Sequence, residues 1–454
     1  MAHLSQTDYL TWRLQRNPVL RPTIVSILML DEEPDWAKLT RAVDRCTRAV
    51  PELRQRLVPS LLPLAPPRWK PDEYFDLSWH LQRSPLIPRI DLEAVLDFAR
   101  HDAMNQFEPD RPLWRATLLH GQDGQGCALV FKVHHSLTDG VSGVRILAGL
   151  CDLDRVGVGH IHSETPPSQH RAVREVVFHY WSEGLGLLRH GISRSAATAV
   201  GAVTHPVATV RDGVGLAASL ARVVRPITTT LSPVMTDRGT ARRLAAFDVP
   251  TAALARAAHT NECTMNEAFI TAVLLGLRDY HDRHGTSIEQ LRVTMPISLR
   301  TDDDPLGGNR ITLSRFVVPV NGDPAVLMRR VGEVIRSQRS EPALPYSAAV
   351  AAVLNRVPVT LIAGMLEHVD FVASDVPGSP VPLYLAGARI EQMYAFSPTL
   401  GTALNVTMAS HAGTCFLGIN ADIAAVPDVR TLSQCLADGF RAVLDLDDQQ
   451  ATGI

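Results

Sequence analysis

The sequence has few of the features that mark secreted, metal-binding or membrane-spanning proteins. Only six cysteines occur in 454 residues, and no two of them form a C-x-x-C pair. This spacing argues against a disulfide framework or a metal site and favours a reducing compartment. No run of about 18 uncharged apolar residues is present, and residues 1–17 lack the pattern of a signal peptide. We therefore expect a cytoplasmic protein without a metal site.

Charge and composition exclude further classes of protein. The 44 basic and 47 acidic residues give a formal charge of −3, which shows no bias toward nucleic acid. With 46% hydrophobic and 20% charged residues, the chain is globular, and its length predicts two domains. No Walker loop is present, and residues 213–215 lack the strand and third glycine of a dinucleotide fingerprint. No permanently bound cofactor is expected.

Apolar patterning predicts strands and helices mixed in both halves of the chain, and therefore an α/β fold. Strands are predicted at residues 23–30, 113–119, 128–133, 245–249, 292–297, 311–320, 371–374 and 415–419. Helices are predicted after the N-cap Asp35, at 92–104, 264–280 and 324–339, and from about residue 428. Residues 128–133 are almost wholly apolar, which predicts a central strand.

Three segments are predicted along the chain. Residues 1–165 and 241–454 each carry the mixed pattern, and residues 166–240 form a helical connector between them. The connector is rich in Ala, Val, Leu and Arg and has few acids. That composition suits helices packed on the protein, and it equally suits peripheral contact with a membrane surface.

The segment from His134 to Gly140 directly follows the predicted central strand. Strand ends that open into glycine-containing turns are where α/β proteins expose reactive side chains. Adjacent side chains on a strand point in opposite directions, so one of His134 and His135 faces a reaction while the other packs or orients. Asp139 is close enough to hold the turn, and Gly140 leaves room for a substrate. The alternative is a loop with ordinary surface histidines.

This segment resembles the HHxxxDG motif of the coenzyme A-dependent acyltransferase superfamily, which includes chloramphenicol acetyltransferase and peptide-synthetase condensation domains. Further blocks resemble the bacterial wax ester synthase/diacylglycerol acyltransferase family, in the family's order from about residue 4 to residue 445. They comprise Pro112-Leu113-Trp114, the segment from Trp69 to Leu81, Thr264 to Ala268, Met295 to Arg300, Gly308 to Arg310, and Ser374 to Gly378.

The chain departs from the family pattern in two blocks. Glu267 follows Asn266 where Asp is usual, and Asp375 stands where Asn is usual. These departures bear on the choice of acceptor more than on the type of reaction.

The resemblance implies two chloramphenicol acetyltransferase-like domains with an active-site tunnel between them. It also implies transfer of a long-chain acyl group from acyl-CoA, the substrate, to diacylglycerol or a fatty alcohol. The protein is expected to contact the membrane or a lipid-droplet surface. Two alternatives are a related acyltransferase that esterifies a polyketide or glycolipid alcohol, and a non-catalytic lipid-binding homologue.

Roles follow from the resemblance residue by residue. His135 is expected to be the general base; the alternative base is His134, which is otherwise expected to pack and orient. Asp139 supports the loop, and Arg300 is its candidate partner near the substrates. Asn266 either donates to the oxyanion or caps its helix. The remaining candidates, which either shape a wall of the substrate channel or pack in the core, are Pro112, Leu113 and Trp114.

Overall fold

The computed structural model describes residues 3–60, 65–84, 87–122, 126–138, 143, 146–147, 149–157, 227–298, 311–339 and 347–451. Asp139, Gly140 and Arg300 therefore lie outside the described residues. Residues 166–226 of the expected connector also lie outside them. Its described part, residues 227–240, contains no helix. Among the described helices, none combines the length and the apolar character needed to cross a membrane.

Strands and helices alternate through the described chain, which confirms the predicted mixed α/β class. The strands are β1 (Thr23–Leu30), β2 (Gln55–Val58), β3 (Arg68–Pro71), β4 (Leu81–Arg83), β5 (Trp114–His120), β6 (Cys127–His134), β7 (Arg242–Pro250), β8 (Gln290–Ser298), β9 (Ile311–Pro319), β10 (Phe371–Val376), β11 (Tyr384–Leu385), β12 (Ala388–Phe396), β13 (Leu404–His411) and β14 (Thr414–Asp422). The helices are α1 (Gln6–Leu14), α2 (Trp36–Ala49), α3 (Leu77–His80), α4 (Leu92–Met104), α5 (Thr251–Thr260), α6 (Met265–Arg283), α7 (Pro324–Arg339), α8 (Ser347–Leu354), α9 (Val359–Leu366) and α10 (Val429–Ala451).

The first sheet has the strand order β11-β12-β1-β6-β5-β4. Strand β6 runs antiparallel between β1 and β5, with His134 opposite Thr23 and Val133 opposite Trp114. Every residue of β6 except Phe131 is buried. The predicted central strand is confirmed, and it delivers the histidine pair to one end of the sheet.

The second sheet has the order β7-β14-β13-β10-β8-β9, and helices α5, α6, α7 and α10 pack on one of its faces. Helices α6 and α10 approach each other closely through glycines. A Cβ atom on Gly439 would overlap the carbonyl oxygen of Ala272, and one on Gly276 would lie 2.6 Å from Cα of Leu436. The absence of both side chains lets the two backbones touch.

The two sheets are joined by strands from the last third of the chain. Strands β11 and β12 belong to the first sheet, although they lie within the segment 241–454 that was expected to form a second domain. Strand β14 of the second sheet passes close to β12, because a Cβ atom on Gly418 would overlap the carbonyl oxygen of Ala395. The predicted segment boundaries stay predictions, but the sheets do not divide the chain at one point.

Candidate active site

A largely apolar cavity of about 230 Å³ lies between the two sheets. The first sheet contributes residues of β1, β5, β6 and β12, and the second contributes residues of β8, β9, β10 and β13. Apolar side chains such as Leu129, Val133 and Met393 form most of the wall. The polar residues in the wall include His135, Thr138, Ser374 and Asp375.

The two histidines at the end of β6 have different surroundings. His135 lines the cavity, and its backbone N–H donates to the carbonyl oxygen of Pro22 over 2.8 Å. His134 is 1% exposed, and its ring meets the ring of Phe107 edge-on at 6.0 Å between centroids. Burial lowers the pKa of His134 to about 3, and His135 beside it adds to the lowering. The structure thus buries His134 and places His135 in the cavity wall, and which of the two faces the reaction stays a prediction.

The Pro112-Leu113-Trp114 segment leads into β5, which lies beside the histidine-bearing strand β6. The carbonyl oxygen of Leu113 accepts a hydrogen bond from the backbone N–H of His134 over 2.9 Å. Trp114 lines the cavity, stacks on the ring of His80 at 4.7 Å, and donates its indole N–H to the carbonyl oxygen of Leu53 over 2.7 Å. Pro112 and Leu113 are buried and do not line the cavity. Trp114 alone of the three contributes to the wall.

Asn266 lies at the second position of helix α6 and is not the residue that caps it. The N-cap is Thr264, whose hydroxyl accepts from the backbone N–H of Glu267, while the Glu267 carboxylate accepts from the N–H of Thr264 over 2.7 Å. The expectation that Asn266 might cap the helix is therefore wrong. Nδ2 of Asn266 lies 3.7 Å from Sδ of Met295. Asn266 does not line the cavity, whereas Pro296, which follows Met295 in β8, does.

The cavity extends beside strand β10 where the second sheet opens. Strands β8 and β10 pair only at Val293 with Phe371 and Thr294 with Val372. Beyond these pairs, Pro296 lines the cavity from one strand. The residues that line it from the other strand are Ser374, Asp375 and Val376.

Asp375 is the position in the Ser374 to Gly378 block where the sequence departs from the pattern that the resemblance implies, and it is not among the site residues predicted from the sequence. It lies at the opening between the strands, where desolvation by the surrounding protein raises the pKa of its carboxyl to about 6 and Arg339 opposes the rise. The only sequence signal for it was its place in the Ser374 to Gly378 block. Among the described residues, no group of three or more histidines, cysteines or acids could hold a metal ion.

Comparison with known proteins identifies the family. Residues 4–269 match the model of the wax ester synthase/diacylglycerol acyltransferase catalytic domain, and residues 307–443 match that of the WS/DGAT C-terminal domain. A protein of Mycobacterium tuberculosis named as a diacylglycerol O-acyltransferase is 33% identical over 98% of this chain and 92% of its own length.

Two solved structures share the fold. The wax ester synthase/diacylglycerol acyltransferase from Marinobacter aquaeolei VT8 has a TM-score of 0.63 at 18% identity, covering 98% of this chain and 99% of that one. The starter condensation domain of rhizomide synthetase, solved with C8-CoA and Leu-SNAC, has a TM-score of 0.64 at 14% identity, covering 98% and 94%. These likenesses confirm the predicted chloramphenicol acetyltransferase-like fold. The chain belongs to the wax ester synthase/diacylglycerol acyltransferase family and is an acyltransferase.

Proposed function

We propose that this acyltransferase moves a long-chain acyl group from acyl-CoA to the hydroxyl of a lipid alcohol, with His135 as the general base. Diacylglycerol, in triacylglycerol synthesis, and fatty alcohols, in wax ester synthesis, are the acceptors to which the family and its relatives' names point. The observation that carries the proposal is the position of His135 in the wall of a largely apolar cavity between the sheets. The related fold that holds C8-CoA supports acyl-CoA as the donor.

The reaction needs a proton acceptor beside the attacking hydroxyl. As the hydroxyl oxygen forms a bond to the thioester carbonyl carbon, a neutral imidazole at His135 takes the hydroxyl proton. The tetrahedral intermediate then breaks its C–S bond, and His135 returns the proton to the thiolate sulfur. The products are an ester and free CoA. His134 is a poor base for this step because its ring is buried and its Nδ1 is 2.7 Å from Oγ of Ser136.

Four further residues have proposed roles. Asn266 would donate its side-chain amide to the oxyanion, as the family resemblance implies. Its Nδ2 now has the sulfur of Met295 at 3.7 Å, a weak acceptor that a substrate oxygen could replace at little cost. Asp139 is proposed to support the histidine loop, with Arg300 as its partner, and Gly140 to leave space for substrate.

Contact with a lipid surface is proposed to bring acceptors to the cavity. Val353 of α8 and Leu361 of α9 are 59% and 62% exposed, and both offer apolar side chains for such contact. We propose that the protein works in the cytoplasm, at the inner membrane or at lipid droplets.

A thiol-release assay with palmitoyl-CoA and a panel of alcohols tests the proposal. We expect release with diacylglycerol or hexadecanol, and a loss of about 100- to 10,000-fold in kcat/KM for His135→Ala, because a positioned base contributes that much. His259→Ala, which changes an exposed histidine of α5, is the matched control and should keep wild-type turnover.

Two outcomes would contradict parts of the proposal. Wild-type turnover by His135→Ala would show that another group is the base. Binding of lipid alcohols without CoA release from any of them would favour a lipid-binding homologue instead.

A further inference from the structure

Asp375 is the one carboxylic acid among the described residues that line the cavity of His135. It follows the point at which β10 stops pairing with β8, after Val372 and Thr294. Asp375 therefore lies at an opening on the β8 side of β10, while on the other side β10 stays paired with β13, with Asp375 opposite Met408. A carboxylic acid and a histidine thus share one largely apolar space, and they reach it from opposite sheets.

The Asp375 carboxyl group has no hydrogen bond and no ion pair within the described parts of the chain. Arg339 is near enough to lower the pKa of this carboxyl but forms no ion pair with it. The residue is exposed, yet surrounding protein raises its pKa to about 6. Both observations hold if its accessible surface faces the cavity and not bulk solvent.

A carboxylate in such a wall favours acceptors that can donate a hydrogen bond to it. An acceptor that is apolar at this point would remove water from the carboxylate and put nothing in its place, which is unfavourable. A hydroxyl would instead make a charge-assisted hydrogen bond. Asn405, which lines the same cavity, is already engaged, because its Nδ2 donates to the carbonyl oxygen of Pro398 over 2.9 Å and its Oδ1 accepts from Thr407 over 3.1 Å.

The departure from the family pattern sharpens this preference. The amide of an asparagine, the residue that the family resemblance predicts here, both donates and accepts hydrogen bonds. An ionised carboxylate of the same shape only accepts. Asp375 therefore restricts its partner to a group that brings its own polar hydrogen.

We propose that Asp375 is a specificity-determining residue, which accepts a hydrogen bond from a second hydroxyl group of the acceptor. The inference rests on the function proposed above and narrows the acceptor to a lipid alcohol with a further hydroxyl beside the one that is acylated. Fatty alcohols and diacylglycerol carry a single hydroxyl, so they are acylated more slowly.

Two acceptors that differ by one hydroxyl test the inference. These are 1-O-hexadecylglycerol and 3-hexadecyloxypropan-1-ol, which lacks the second hydroxyl and adds no bulk. CoA release from palmitoyl-CoA gives kcat/KM for each acceptor at pH 7.5. We expect the wild type to prefer the glycerol ether by about 10- to 100-fold, the range of one hydrogen bond to a charged group.

Two variants at the position and one control complete the test. Asp375→Ala should lose activity on the glycerol ether alone, so that the ratio of the two kcat/KM values falls close to one. Asp375→Asn, which keeps the shape and a neutral acceptor, should give an intermediate preference. Asp282→Asn makes the same chemical change at an exposed residue of α6 and should keep the wild-type preference.

The outcomes separate the inference from the function on which it rests. Equal kcat/KM values of the wild type for the two acceptors would overturn the inference alone, and this result needs no folded variant. An undiminished preference in Asp375→Asn and Asp375→Ala would also overturn it. If neither acceptor released CoA from the wild type, while diacylglycerol did, the proposed function would stand and the inference would fall. Failure with every alcohol would remove both.

Discussion

The backbone N–H of Ser136 donates a hydrogen bond to Nδ1 of His134 over 3.1 Å. An amide N–H can only donate, so Nδ1 is the acceptor and the neutral ring carries its proton on Nε2. Protonation of Nδ1 would break this bond and place a charge in a site where the ring is 1% exposed. The relationship fixes His134 as a neutral, structural side chain directly before the proposed base.

The first prediction is that His134 makes stability depend on pH. Its pKa is about 3 in the folded protein and about 6.5 when unfolded, so the unfolded chain binds more protons between these values. The contribution of His134 to the free energy of unfolding should therefore be complete above pH 6.5. It should fall as the pH is lowered, by up to about 1.4 kcal/mol per pH unit. Urea denaturation at pH 7 and pH 5 measures the change.

His134→Gln supplies the comparison, because it removes the titrating ring. Burial also lowers the pKa of His80, His281 and His411, but these residues are common to both proteins and cancel in the difference. The difference in unfolding free energy between wild type and variant should shrink by about 2 kcal/mol from pH 7 to pH 5. An equal difference at both pH values would show that the folded protein protonates His134 freely.

Elements with a regular apolar pattern could be predicted from the sequence, including the buried central strand β6, whereas a strand with an irregular pattern could not. Helix α4 was predicted with its observed bounds, because its apolar residues recur at helical spacing. Strand β12 was missed. Its pairing with β1 shifts register between Met29 and Leu30, and the adjacent Met393 and Tyr394 are both buried, so the alternation that marks a strand is lost.

The site was predictable where one short segment carries it. His135 follows its strand directly, and the motif pointed to it without knowledge of the fold. Asp375 required the structure, because its place in the cavity depends on where β8 and β10 cease to pair. Residues far apart in the chain create that opening, and no local pattern encodes it.

A second prediction concerns the close contact of helices α6 and α10. Gly439→Ala would force the helices apart, because the new Cβ overlaps the carbonyl oxygen of Ala272, and we expect a loss of about 1 to 3 kcal/mol. Gly364→Ala in helix α9 is the matched control, since no atom lies within 4 Å of its new Cβ. There the better helix propensity of alanine should raise stability by up to about 1 kcal/mol. Thermal unfolding measures both variants. Equal unfolding midpoints for Gly439→Ala and Gly364→Ala would refute the close packing of α6 and α10.

The final prediction concerns Glu267, which stands beside Asn266 where the family resemblance predicts an aspartate. Its carboxylate accepts from the N–H of Thr264 over 2.7 Å and lies 3.3 Å from Nη1 of Arg336. Glu267→Asp shortens the side chain by one methylene, so it cannot serve both partners. We expect a loss of about 1 kcal/mol in unfolding free energy, the usual size of a lost helix cap, as measured by urea denaturation.

Thr264→Ala, alone and combined with Glu267→Asp, shows whether the cap is the cause. Each change breaks the same reciprocal pair of hydrogen bonds, so the double variant should be destabilised by less than the sum of the two single losses. Strict additivity would mean that Glu267 acts through Arg336 and not through the cap. The first turn of α6 also carries Asn266, so loosening the cap should lower kcat more than it raises KM if Asn266 meets the oxyanion.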